Sequence, residues 1–432
     1  MQRPRHDFME RKPAQRSVET PVSEGYQPAK MTFKAFLSTQ SDDITDEEAA
    51  FKYSEYKLEF RRQQLNEFFS CHKEAEWFRR KYHPEESSKR AEELLDRVRK
   101  RLEIFVELDR EGRLDVSLQT DNEHALLRLL NTVVIKLEGG GEQHLKILDM
   151  DSAALAAKEE ENDQEAVKEL HLTSSVFLPL LSPQVTHSEL EEVCRKFPGY
   201  LRLSLSQPDQ TKKWSRRAWV TFERKAKIKE LCLRLNHVRL RGKELNPVVN
   251  KDLSKRIRSV PSLYSDQSIA RNDLKIASKI ITNLDNKNSL WINANNPVLS
   301  NVHDYLIDEV AAEEEELLRR PVDTAEAGDD PDSKRELEIN KEILQVLDKL
   351  ILYLRIVHST DFYSSAQYPL EDEMPNRLGL LHVRERPEEE EMLNMAEVSR
   401  LSVSRDNKLT ALSQATTALK GEEALKLGQS RY

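Results

Sequence analysis

Between residues 174 and 250 the apolar pattern leaves the 3.6-residue repeat of helices for an alternation of period two, and this switch restricts the fold more than any other feature. The runs SSVFLPLL, GYLRLSLS, RRAWVTFE and VRLRGKEL alternate as half-buried strands do. Between them, Ser188 to Lys196 and Lys225 to Asn236 carry helical spacing. The order βαββαβ predicts a two-layer domain, with two helices on one face of a four-stranded sheet. Thr186 with Glu189 offers a capping box where the first helix should start, and Pro198-Gly199 is a turn signal before the second strand.

The flanking sequence reads as helix. Asp46 to His72 carries Phe51, Tyr56, Leu58, Phe60, Leu65 and Phe68 at helical spacing, with EFRRQQ on the wet side. Ser87 to Asp109 and Asn122 to Leu137 repeat the pattern, and Gly139 to Gly141 stop it. After residue 250 the helices return at Ser268 to Leu284, Val298 to Leu318 and Glu336 to His358, the last with a continuous apolar stripe from Ile343 to Val357. The fold class is therefore α+β, a mostly helical scaffold around one βαββαβ domain. Its expected divisions are a flexible basic arm (1–28), an N-terminal helical domain (29–150) and an acidic linker (151–173). The βαββαβ domain (174–250), a C-terminal helical domain (251–386) with an acidic loop near 319–335, and a charged tail (387–432) complete the chain.

A chain of 432 residues can bury more than one core. It has no uncharged apolar run of about 18 residues, so no membrane partner is expected. Nor does its N-terminus carry the apolar stretch of a secretory signal, which leaves the cytosolic or nuclear side. Cys71, Cys194 and Cys232 lack the spacing of a zinc site or a disulfide framework and read as small buried hydrophobes. No metal or cofactor is expected. No phosphate-binding glycine loop and no nucleophile motif accompanies His358, Asp361 and His382, so the segment from His358 to Arg384 reads as a packed, turn-rich connector and the chain as a non-enzyme.

Charge is segregated. Residues 174–258 hold 19 Lys plus Arg against 8 Asp plus Glu, a surplus of 11, which leaves −20 for the rest of a chain whose net charge is −9. A basic module in an acidic chain suits a polyanion, because phosphate contacts supply most nucleic-acid affinity. Period two then sorts the aromatics. If Val176 and Leu178 face the core, Phe177 faces outward; if Ala218, Val220 and Phe222 do, then Arg217, Trp219 and Thr221 face outward. Aromatics on the open face of the two central strands are where single-stranded RNA stacks. Lys212, Lys213, Arg216 and Arg217 stand at the mouth of the third strand, and Lys251, Lys255, Arg256 and Arg258 extend the basic side. These eight with Phe177 and Trp219 form the expected RNA site. The match to the RNA-recognition signatures is partial, since Arg216 replaces a glycine, Arg217 a stacking aromatic and Leu180 an asparagine. A second reading remains open, in which the domain is a degenerate RNA-recognition motif (RRM) whose face is covered by the chain itself or serves protein contacts. FRRQQ (60–64) and WFRRKYHPE (77–85) read first as helix ends with buried rings and solvated arginines.

Several runs, in order, resemble the SERRATE/arsenite-resistance protein 2 family: MTFKAFL, YKLEFRRQQLNEFF, EWFRRKYHPEE, VIKLEGG, RRAWVTF, IARNDLKIASKI, YLIDEVAAEEEELL, VLDKLILYLRIVHSTDFY and EDEMPNRLGLLHVR. The resemblance implies a helical core whose N- and C-terminal parts pack around an RRM-like domain. It implies a nuclear adaptor, with a cytoplasmic pool besides, that couples capped RNA polymerase II transcripts and the nuclear cap-binding complex to primary microRNA processing, 3′-end maturation, export or decay. Its partners would be RNA, that complex and RNA-processing factors, with the chain itself a monomer. The family's zinc finger after the HVR segment, and its Gly/Pro-rich tail that contacts the cap-binding complex, have no counterpart in these residues. A fragment, a trimmed form or a divergent form would each read this way.

Overall fold

The structure, a computed structural model, describes residues 29–40, 44–141, 174–300 and 334–394, apart from 213, 224–225, 252, 254, 292–294 and 389–391, together with residues 145, 148, 302 and 409. The expected basic arm, acidic linker, most of the acidic loop and most of the tail lie outside the described residues, as does the helix expected beyond residue 302.

Helix α1 (Phe33–Leu37) is capped by Thr32 and lies on α2 (Asp46–His72), which starts in a capping box between Thr45 and Glu48. At about 100° per residue the apolar side chains of α2 fall on two opposite faces. Tyr53 and Tyr56 meet Phe36 of α1 at 5.4 and 5.2 Å. Phe51, Leu58 and Leu65, expected on the same buried face as Tyr56 and Phe60, point away and are exposed.

Helix α3 (Glu76–Tyr82) ends at an extended His83, as the residue before a proline prefers, and Pro84 begins α4 (Pro84–Arg110). A 3-10 turn (Thr120–Asn122) leads into α5 (Glu123–Leu137). The next unit runs β1 (Ser175–Leu181), α6 (His187–Arg195), β2 (Tyr200–Leu205), β3 (Arg216–Phe222), α7 (Ile228–Asn236), β4 (Arg239–Leu240), β5 (Lys243–Glu244) and β6 (Val248–Val249). Thr186 and Glu189 do form the capping box of α6, and Gly199 takes φ +77° before β2.

The sheet is antiparallel in the order β2-β3-β1-β6. Its fourth strand is a correction to the sequence reading. VRLRGKEL folds back on itself as the β4–β5 hairpin, because Arg241 and Gly242 both take positive φ in a two-residue turn. The edge position falls to Val248 and Val249, opposite Phe177 and Val176.

Beyond the sheet come β7 (Ile257–Val260), α8 (Gln267–Asn288), α9 (Pro297–Ser300), β8 (Lys334–Glu336), α10 (Lys341–Ile356), β9 (Thr360–Asp361), β10 (Ala366–Gln367), β11 (Leu381–Arg384) and β12 (Met392–Asn394). Glu336, expected to open the last helix, closes β8 instead, and Asn340 caps α10. The helices expected as separate N- and C-terminal domains share one core. Phe105 and Leu108 of α4 and Leu126 and Leu130 of α5 pack in the same cluster as Ile280 of α8 and Leu347, Leu350 and Leu354 of α10. The cause lies in α10, where every residue from Leu350 to Ile356 is buried. A helix apolar all round must be surrounded, and cover comes from both halves of the chain. Parallel pairing of β11 with β7 closes this body next to the βαββαβ domain, which keeps a core of its own.

Candidate nucleic-acid interface

The two central strands sort their side chains as the alternation predicts. Val176, Leu178, Ala218, Val220 and Phe222 are almost fully buried against α6 and α7. Phe177 and Trp219 stand on the opposite face, half-buried, paired in register and stacked with ring centroids 5.3 Å apart and planes 29° apart. Val248 adds an exposed apolar neighbour beside Phe177. Thr221 shares this side by alternation but is 5% exposed.

One end of this face is closed. Arg202 of β2 donates to the carbonyls of Met374 and Pro375 at 3.3 and 3.0 Å and to Glu138 at 3.2 Å, and the Ser204 hydroxyl approaches the Met374 sulfur at 3.7 Å. Ser204 lies opposite Trp219 and is itself buried. The covering stretch is held by arginines from three directions. Arg101 of α4 donates to Asp372 at 3.0 Å through two nitrogens and to the carbonyls of Ile356 and Arg377. Arg355 of α10 binds Glu371, and Arg256 donates to the Leu378 carbonyl and to Asn131. Burial would lower the Arg355 guanidinium, but the carboxylate of Glu371 outweighs it and holds it above its ordinary value. Arg101 and Arg355 are at most 1% exposed; the Arg355–Glu371 pair is buried on both sides, while Asp372 is part-buried and has Arg377 as a second partner at 3.9 Å.

The other end is open. Leu180, Leu181, Ser182, Pro183, Lys212 and Ser215 face Arg239, Lys243 and Asn246 of the hairpin across a groove of about 630 Å3. Leu180 is 65% exposed there, because β1 is irregular between Leu178 and Leu181 and turns it outward. Arg239 pairs with Glu244 at 3.0 Å, an exposed contact that a phosphate could replace. The sequence reading missed Arg239 and Lys243; the only signal was the basic RLRGK run, which it had assigned to a strand.

The expected RNA-binding residues part into three groups. Phe177, Trp219, half-buried Arg217 and exposed Lys212 belong to the open half of the sheet; Lys213 lies outside the described residues. Lys251, Lys255 and Arg258 are exposed on the stretch leaving the domain, where Lys255 and Arg258 line a second groove of about 590 Å3 with Thr120 and Glu123, none of them from the sheet.

Arg216 and Arg256 are corrections. The Arg216 guanidinium is buried and donates to the carbonyls of Ser206 and Val185 at 2.8 and 2.6 Å, with Glu76 of α3 at 3.7 Å. Burial holds it below its ordinary value. Arg256 is equally enclosed, and burial followed by repulsion from Arg355 lowers it too. Alternation put Arg216 on the inner side of β3, and the fork of donors on an arginine satisfies carbonyls that a hydrophobic residue would leave unpaired.

The helices meet the domain at an aromatic joint. Trp214, at φ +57° in the β2–β3 connection, sits 5.9, 5.1 and 6.1 Å from Phe68, His72 and Trp77. Glu76 also accepts from the His187 N–H at 2.7 Å. Trp77 and Phe78 are buried while Arg79 is exposed, so WFRRKYHPE is a helix end of the expected kind; FRRQQ instead lies mid-way along α2, with Phe60 half-buried and Arg61 and Arg62 exposed. Cys194 is buried, and that pushes its thiol up to about 12; Cys71, expected inside, is exposed.

The turn-rich segment after α10 is packed as expected. His358 pairs with Asp285 at 2.8 Å and His382 with the fully buried Asp361 at 2.6 Å. Among the described residues no group of three His, Cys, Asp or Glu side chains is placed to hold a metal, and no helix is long and apolar enough to cross a membrane.

A four-stranded antiparallel sheet with two helices behind it and two aromatics on its open face defines an RRM-like domain, carried here on a helical body. Residues 170–253 match the RNA-recognition domain of Serrate RNA effector molecule homolog, and residues 34–142 match the SERRATE/Ars2 N-terminal domain. Serrate RNA effector molecule homolog of Aedes aegypti is 30% identical over 93% of this chain and 69% of its own length. The human protein of that name is 33% identical over 93% of this chain and 62% of itself, and the Caenorhabditis briggsae one 38% over 84% and 59%. The chain belongs to the SERRATE/Ars2 family and spans between 59% and 69% of the length of these relatives.

Proposed function

We propose that the chain is a nuclear adaptor that holds single-stranded RNA on the open half of its RRM-like sheet while its helical body presents processing factors. One observation carries this reading: a stacked, half-exposed Phe177–Trp219 pair bridges β1 and β3, and β1 runs into a groove lined by Lys212, Arg239 and Lys243. Bases would stack on the rings, and phosphates would pass the basic groove without base-specific readout. From the family we infer the finer role, linking capped RNA polymerase II transcripts and the nuclear cap-binding complex to primary microRNA processing, 3′-end maturation, export or decay. No residue acts as a catalyst in this reading.

The test is binding of a short labelled single-stranded RNA at several salt concentrations. We expect affinity to fall steeply with salt and to weaken in the Phe177→Ala, Trp219→Ala double variant. A second reading, a protein-interaction scaffold with a degenerate RRM, is favoured by the Met374–Pro375 stretch over β2. Unchanged RNA affinity in the double variant, with processing factors from nuclear extract still retained after RNase, would select it.

A further inference from the structure

Helix α2 uses only one of its two apolar faces. Tyr53 and Tyr56 meet α1, and Phe68 meets α3 and Trp214. On the other side Phe51, Leu58 and Leu65 are 63, 70 and 62% exposed, and Phe69, whose ring meets Phe78 of α3 edge-on at 5.9 Å, is still 53% exposed. These four fall within roughly 40° of one another around the helix. Steps of seven, seven and four residues keep them on one line, the spacing of a seam between two helices. Of the 27 residues of α2 only Ala49 is buried, so the stripe runs the length of a helix standing clear of both cores.

The charges beside the stripe select the occupant. Glu48 and Glu55 flank its N-terminal half and Arg62 its C-terminal half, and Glu55 and Arg62 are both exposed and on the same side. A second α2 laid antiparallel about Leu58, one residue from the helix midpoint, sets Leu58 on Leu58 and Phe51 on Leu65. It brings Glu55 of each copy to Arg62 of the other, and it opposes the two helix dipoles. A parallel pair would instead bring opposite flanks together and set Arg62 of each copy beside the exposed Arg61 of the other, like charge against like. The stripe is thus self-complementary in one orientation only, as a two-fold interface requires.

We propose that this face of α2 docks on the same face of a second copy of the chain, as an antiparallel two-helix seam centred on Leu58. The seam does not depend on the RNA reading and replaces the monomer expected from the sequence.

The experiment is sedimentation equilibrium of the whole chain over a range of concentrations, with circular dichroism to confirm that each variant is folded. The parent should show a concentration-dependent dimer. Leu58→Asp should remain monomeric. Glu55→Arg and Arg62→Glu should each weaken the dimer at least tenfold, and the two together should recover most of the loss, which a mere surface effect would not do. A parent that stays monomeric at every concentration, or a double variant no better than its singles, overturns the proposal. So does a monomer whose stripe takes up an unrelated acidic helix instead of its own copy.

Discussion

Arg202 and Lys212 lie at opposite ends of the β2–β3 pair, and their fates describe the two halves of the sheet. Arg202 is tied to Glu138 and to the carbonyls of Met374 and Pro375, while Lys212 extends into solvent beside an open groove. The difference teaches that positive charge in this protein has two uses. Arginines with several donors satisfy backbone carbonyls and carboxylates at joints, as Arg101, Arg216, Arg256 and Arg355 do. Lysines, single strongly hydrated charges, stay outside where a polyanion could meet them.

The largest effect should come from the closed end. Arg101→Ala takes the donor from the Ile356 carbonyl and the main partner from part-buried Asp372, and should cost about 3 kcal/mol of stability, read as a lower denaturation midpoint. If the loss were within about 0.5 kcal/mol, the stretch over β2 would not be a rigid part of the fold.

Next, at the open end, the Phe177→Ala, Trp219→Ala double variant should lose roughly ten- to a hundredfold in RNA affinity, since a base stacked on an aromatic contributes about 1–3 kcal/mol. Lys212→Gln with Lys243→Gln should do less at low salt but flatten the salt dependence, by roughly 0.7 in log–log slope for each phosphate that is no longer neutralised. Arg216→Gln should leave that slope unchanged while lowering stability, which separates a joint arginine from a binding lysine in one pair of measurements.

The smallest effect concerns the aromatic joint. Burial holds His72 below its ordinary 6.5. The unfolded chain therefore takes up the proton first, so stability is complete above about pH 6.5 and declines as the pH falls below it. Tryptophan emission from Trp77 and Trp214 should shift in that window, and His72→Leu should abolish the shift.

Much of this was legible beforehand because it is local. The α6 capping box, the turn at Gly199 and the division of β1 and β3 into core and outer residues depend on neighbours a few positions away, which the chain displays directly. The failures are non-local. Nothing near Arg216 or Arg256 says that carbonyls of Val185 and Leu378 wait for them, and nothing near Leu58 says that its helix stands away from the core. VRLRGKEL alternated like a strand, but two positive-φ residues turned it into a hairpin and gave the edge to Val248–Val249.

The sequence by itself determined most of the helices, the first three strands and two helices of the βαββαβ order, the outward-facing Phe177 and Trp219 and the surplus of positive charge in one module, because periodicity, capping and composition are written in adjacent residues. Tertiary structure alone decided that the two helical stretches are one body and that residues 371–378 close one half of the sheet. It also decided which arginines remain available, because each outcome rests on burial between groups from tens to hundreds of positions apart, and the free energy of a buried charge is set by its partners and not by its place in the chain.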